Sequence, residues 1–127
     1  MPKTPVFTDR APAAIGTYSQ AIKAGGACYI SGQIGLDPAT GEMVPGGIEA
    51  QITRVFDNLH AIAGACGGTL KHAVKVNVYL TDLGHFTKVN EAMEKFFPHP
   101  FPARAAIGVA SLPRGALVEA DCVLVID

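Results

Sequence analysis

Residues 48–80 read IEAQITRVFDNLHAIAGACGGTLKHAVKVNVYL, and the fold follows from the change of period inside that run. Ile48, Ile52, Val55, Phe56, Leu59, Ile62, Ala63 and Cys66 recur at spacings of three and four, which is one stripe of an amphipathic helix. Gly67-Gly68 supplies the left-handed stop that ends it. Beyond the stop, Val74, Val76, Val78 and Leu80 alternate with Lys75, Asn77 and Tyr79, the period of a half-buried strand.

Working outward, Thr81 or Asp82 can cap a second helix running to Phe97, with Phe86, Val89, Met93, Phe96 and Phe97 as its apolar stripe. Pro98 stops it, and Pro100 and Pro102 hold the next segment extended. Strands follow over residues 103–109 and about 117–126. Upstream, residues 11–20 read as a loop and 21–24 as a short strand. Gly25-Gly26 is a tight hairpin turn, and 27–34 reads as another strand. Turn chemistry at Asp37-Pro38-Ala39-Thr40-Gly41 leads to the first helix. The order β, β, α, β, α, β, β predicts an α+β domain over residues 1–127: one mixed sheet with two helices packed on a single face. No third helix is left for the other face, which points to self-association.

Composition narrows the function classes. Hydrophobic residues make up 49% and charged ones 17%, so the surface is sparsely charged and part of the apolar content is expected at a subunit interface. Net charge is −1, and the ten Lys and Arg form no basic stripe for displacing counterions, so no nucleic-acid partner is expected. No apolar run approaches the ~20 residues of a membrane span, and residues 1–5 lack the apolar core of a signal peptide. Cys28, Cys66 and Cys122 are odd in number and widely spaced, so reduced thiols in a cytoplasmic protein are expected, with Cys66 and Cys122 in the core. His60, His72, His85 and His99 show no metal-ligand spacing, and no metal site is expected. Gly64–Gly68 follows a helix instead of opening one, so it is no phosphate loop.

Function is sought where polar groups interrupt an apolar pattern. Alternation through Phe101-Pro102-Ala103-Arg104-Ala105-Ala106-Ile107-Gly108-Val109 puts Arg104 on a strand face with Ala106 and Gly108, leaving open space beside the guanidinium. Such a group can grip a carboxylate through two parallel hydrogen bonds, or form a surface ion pair. Asn90 lies on the inward stripe of the second helix; it either shapes a site or makes a structural hydrogen bond. Glu119 and Asp121 share a strand face with Leu117, Val123 and Val125. A partly desolvated carboxylate there gains proton affinity and can act as acid or base; the alternative is a solvated strand end. Ser31-Gly32 interrupts a strand, which implies a close backbone approach, and Tyr18 sits beside a glycine-bearing loop.

The segments 13–20 (AAIGTYSQ) and 30–34 (ISGQI), Val89-Asn90, Phe101-Pro102-Ala103-Arg104 and the late Glu119 occur in the order and spacing of the Rid family, the reactive intermediate deaminases once called YjgF. Over nearly its whole length the chain most resembles the RidA subgroup, the 2-iminobutanoate/2-iminopropanoate deaminases. The resemblance implies a chorismate-mutase-like α+β fold, a homotrimer with a central barrel-like core, and sites in clefts between subunits. It implies hydrolysis of enamines and imines such as 2-aminoacrylate to a 2-keto acid and ammonia, with no cofactor or metal. On that resemblance Arg104 binds the substrate carboxylate and Glu119 positions water or transfers a proton. Tyr18, Ser31, Gly32 and Asn90 then line the cleft, and the backbone N–H of Ala106 adds to the carboxylate site.

Two departures stand out. Many members of the family have a cysteine where this chain has Ala106, which removes a reactive thiol. Thr17 replaces a common proline in the loop that carries Tyr18. A non-catalytic module binding small carboxylates would use the same arginine and cleft. RNA cleavage, ascribed to some relatives, fits the missing basic surface poorly.

Overall fold

A computed structural model describes residues 2–126. Its strands are β1 (Thr4–Val6), β2 (Ala21–Ala24), β3 (Ala27–Gln33), β4 (Ala73–Leu80), β5 (Ala103–Gly108) and β6 (Val118–Val125), and its helices are α1 (Gly47–Ala65) and α2 (Phe86–Phe96). The strands form one sheet in the order β1-β2-β3-β6-β4-β5. Every pairing is antiparallel except β4 with β5, which are joined through α2 and run parallel. Both helices lie on one face, so the α+β architecture expected from the sequence is the one found.

The core sits between α1 and that face. Ile52, Val55, Phe56, Leu59 and Ile62 of α1 are fully buried with Val76, Val78 and Leu80 of β4 and Ala120, Cys122 and Leu124 of β6. Phe56 packs against Phe96 and Phe97, with ring centroids 5.5 and 5.6 Å away. Each large side chain buried in this way contributes roughly 1.5–3 kcal/mol of transfer free energy. Burial and the carboxylate of Asp121 push the Cys122 thiol up to about 12, so it stays protonated.

Several local features were not foreseen. β1 is a three-residue edge strand whose central Pro5 masks it in the sequence. Asp82 caps a short 3₁₀ turn, Leu83–His85, that precedes α2, by accepting from the Gly84 N–H at 2.8 Å. A second 3₁₀ turn, Leu70–His72, is capped reciprocally by Thr69 and His72. The expectation of three reduced thiols is corrected: Cys28 and Cys66 are joined as a disulfide. β3 and the end of α1 face each other across the core, which brings their Cα atoms to 6.7 Å despite a sequence separation of 38. That spacing lies within reach of a disulfide.

Among the described residues nothing covers the second face of the sheet. Tyr29 and Val125 are exposed on it, beside Asn77, Tyr79, Glu119 and Asp121.

Candidate functional site

Two cavities hold most of the residues that the sequence singled out. The larger, about 560 Å³, is lined by Tyr18, Ser31, Gly32 and Glu119, with Ile15, Ile34, Leu36 and Arg114 among its walls. The second, about 440 Å³, is lined by Asn90, Met93, Glu94, Phe101, Pro102 and Arg104.

A β-bulge builds the floor of the first. Ile30 pairs with Cys122 and Gln33 with Ala120, so Ser31 and Gly32 together stand opposite Asp121. The Ser31 hydroxyl donates to the Ser19 carbonyl at 2.6 Å, and the Ser31 N–H donates to the Gln20 carbonyl at 2.9 Å. Gly32 lies directly under the Glu119 carboxylate; a Cβ on Gly32 would overlap Glu119 Oε2. Ser31 is thus tied to the Tyr18 loop, and Gly32 makes room for the acid.

Glu119 stands across from Tyr79 on the uncovered face. Partial burial raises its pKa, and the neighbouring Asp121 raises it further. Asp121 is engaged differently: it accepts from Asn77 Nδ2 and from the Tyr79 hydroxyl, both at 2.9 Å. The two carboxylates flagged together in the sequence are therefore unlike. Glu119 makes no hydrogen bond among the described residues and faces a cavity, while Asp121 is locked in a network.

The Tyr18 loop owes its shape to a residue the sequence reading passed over. Gln20 is 2% exposed; its Oε1 accepts from the Thr8 N–H at 2.7 Å, and its Nε2 donates to the carbonyls of Thr8 and Pro12 at 2.9 and 2.8 Å. Gln51 and Asn58 of α1 do similar work. Gln51 Oε1 accepts from the Leu117 N–H at 2.9 Å, just before β6 brings up Glu119. Asn58 Nδ2 donates to the carbonyls of Ile34 and Leu36 at 3.3 and 3.0 Å. Their signal was polar residues beside the apolar stripe of α1, where a buried amide must find partners.

The second cavity centres on Arg104, at the outer strand β5 and aligned with Val76. Its guanidinium lies 4.7 Å from the Phe86 ring centroid, and Nη1 donates to Asn90 Oδ1 and approaches Met93 Sδ at 3.6 Å. Among the described residues Arg104 joins no ion pair, so the surface-pair alternative is not what the structure contains. Asn90 is half-buried, and its side-chain carbonyl accepts from Arg104. Ala106 aligns with Val78 on the same side of β5, half-buried against the core.

Within one chain these two groups are not brought together. Arg104 aligns with Val76, on the helix-covered face, whereas Glu119 stands opposite Tyr79 on the uncovered face. Tyr18, Ser31, Gly32 and Glu119 form one cluster and Asn90 and Arg104 another, while Ala106 lines neither cavity. No group of three or more His, Cys, Asp or Glu side chains among the described residues could hold a metal ion, and no helix among them is long and apolar enough to cross a membrane.

Residues 8–126 match the family described as Endoribonuclease L-PSP. The Myxococcus xanthus protein DfrA is 47% identical over 127 residues, covering 98% of this chain and 97% of the relative. The 2-iminobutanoate/2-iminopropanoate deaminase of Mus musculus is 45% identical over 120 residues, covering 94% and 89%. The crystal structure of RidA from the Antarctic bacterium Psychrobacter sp. PAMC 21119 superposes with a TM-score of 0.94 at 50% identity, covering 97% and 99%. The structure of E. coli TdcF with bound serine superposes with a TM-score of 0.91 at 32% identity, covering 98% and 99%.

Proposed function

Since the chain belongs to the Endoribonuclease L-PSP family, the Rid or YjgF family, we propose that it is a hydrolytic deaminase of reactive 2-imino acids and their enamine tautomers. One water adds to the imine carbon, the C–N bond breaks, and a 2-keto acid and ammonia leave, with no oxidation or reduction. The substrate is already reactive, so the protein has mainly to position it. Arg104 fixes the α-carboxylate through paired charge-assisted hydrogen bonds, and its N–H groups not engaged by Asn90 are the ones that meet the ligand. Glu119 directs the water and moves its proton. Tyr18, Ser31 and Gly32 shape the wall opposite. Proton transfer by a positioned carboxyl contributes roughly 10²–10⁴-fold.

The observation that carries this reading is that one chain holds both a guanidinium against an open cavity and, in a separate cavity, a carboxyl of raised proton affinity over a glycine. Because the two lie on opposite faces of one sheet, the complete site needs two copies of the chain. A homotrimer closed around the uncovered faces would set the Arg104 cavity of one copy against the Glu119 cavity of the next. Names among the relatives support the reaction, since the mouse protein is called a deaminase, though the Myxococcus relative carries no such name.

The test is keto-acid and ammonia release from 2-aminoacrylate generated in situ by a serine dehydratase. Acceleration by the wild type that disappears in Arg104→Ala supports the reading. Mixing Arg104→Ala with Glu119→Gln before refolding should restore part of the activity, since some hybrid sites then carry both groups. The serine bound in E. coli TdcF favours a second reading, a small-carboxylate-binding module. Binding of small 2-keto acids without acceleration would decide for it.

A further inference from the structure

Arg114 stands in the wall of the Glu119 cavity and has no part in the chemistry described so far. It lies between Pro113 and Gly115 in a 3₁₀ turn, with φ 60° and ψ 24°. It is the one non-glycine residue with positive φ among the described residues. Glycine or asparagine would occupy that backbone without strain; an arginine there needs a compensating use. Its guanidinium forms no ion pair among the described residues. Nor does it hold down the proton affinity of Glu119, which is raised by burial and by Asp121 with no cation offsetting them.

The charged groups of the cavity walls are the second observation. Arg104 answers the α-carboxylate of an imino acid. Arg114, in the wall that also holds Glu119, is a second guanidinium, joined to no carboxylate among the described residues. In a single copy the cavity measures about 560 Å³, in the range of pockets for drug-sized ligands. Ile15, Ile34 and Leu36 give it apolar walls along which a longer chain can lie.

We propose that Arg114 is a specificity-determining residue that binds a second, terminal carboxylate, so that the preferred substrates are dicarboxylic 2-imino acids. The inference rests on the imine-hydrolase reading and deepens it. The reaction is unchanged: water enters, the C–N bond breaks, ammonia leaves and a dicarboxylic 2-keto acid remains. Such imines are the products of dehydrogenation of amino dicarboxylic acids, so an amino-acid-oxidising reaction is the kind that would supply them.

The experiment compares two imines made in situ, 2-iminosuccinate from an L-aspartate oxidase and 2-iminobutanoate from a threonine dehydratase. For each, the rate above spontaneous hydrolysis gives kcat/KM for wild type, Arg114→Asn and Arg114→Lys. Asparagine tolerates the left-handed backbone, so the variant tests the charge and not the turn. The ratio of the two kcat/KM values, dicarboxylic over monocarboxylic, should fall at least about tenfold in Arg114→Asn, the scale of one lost charge-assisted hydrogen bond, and be largely restored in Arg114→Lys. Equal losses on both imines would make Arg114 a general structural or α-carboxylate contact and overturn the proposal. Wild-type turnover of 2-iminobutanoate but not of 2-iminosuccinate overturns this proposal alone. Acceleration of neither imine overturns the hydrolase reading with it.

Discussion

Gly32 sits so close beneath Glu119 that a single methyl group on the glycine would occupy the space of a carboxylate oxygen. The acid therefore rests on bare backbone, inside a bulge that Ser31 ties to the loop of Tyr18. Replacing Gly32 with alanine leaves the backbone angles permissible, since Gly32 is not among the glycines with positive φ. What must move is the end of Glu119. Gly32→Ala should fold with a near-native melting temperature and lose about 10²-fold in kcat/KM, as expected when a reacting group is displaced by about 1 Å. Near-wild-type activity with a normal melting curve would show that Glu119 need not lie over position 32.

The raised proton affinity of Glu119 fixes the sign of two pH effects. If the ionised form directs water, kcat/KM falls on acidification through a limb lying above the ordinary value of 4.5, and Glu119→Gln removes that limb. For stability the sign runs the other way. The carboxyl takes up a proton more readily folded than unfolded, so the group favours the fold below its unfolded pKa. That contribution is lost as pH rises through the higher folded value. Glu119→Gln should thus melt no lower than wild type at neutral pH while being catalytically impaired, which thermal scans across pH would check.

Phe86 and Asn90 hold the guanidinium of Arg104. Phe86→Leu should raise KM about two- to fivefold with a smaller change in kcat, the scale of an exposed cation–π contact. Asn90→Ala should do likewise, because the guanidinium then samples more orientations. A loss confined to kcat in either variant would place these residues nearer the reacting atoms.

Asn58 is fully buried and bonds the carbonyls of Ile34 and Leu36, beside the first cavity. Asn58→Leu leaves those carbonyls without that partner and should cost about 1–3 kcal/mol. Urea unfolding should report it as a lower midpoint with an unchanged slope.

The elements with a long, unbroken period were legible from the chain: α1, β4 and β6 appear within a residue or two of where alternation and helical spacing put them. β1 was not, because a proline sits in the middle of its three residues and its pairing with β2 is long-range. The 3₁₀ turn Leu70–His72 was not read from the chain, because capping by a side chain leaves no periodic trace. Arg104 and Glu119 were visible as polar breaks in apolar strands. Their placement on opposite faces was not, since it depends on how β5 aligns with β4 and β4 with β6. The braces Gln20, Gln51 and Asn58 were hidden for a related reason: an amide shows its importance through partners far along the chain. Cys28 and Cys66 met for the same reason, across a core that the spacing did not reveal.

The bulge at Ser31 and Gly32 has a genetic consequence. Ile30 and Gln33 both point into the core although three positions separate them, an odd step that a regular strand cannot make. Loss of the single codon for Ser31 would restore an even step and let β3 run straight beside β6 with its buried residues in place. The protein would keep its core and its sheet while the shelf under Glu119 flattened. A lineage could therefore lose the proposed site in one small deletion and go on inheriting the scaffold.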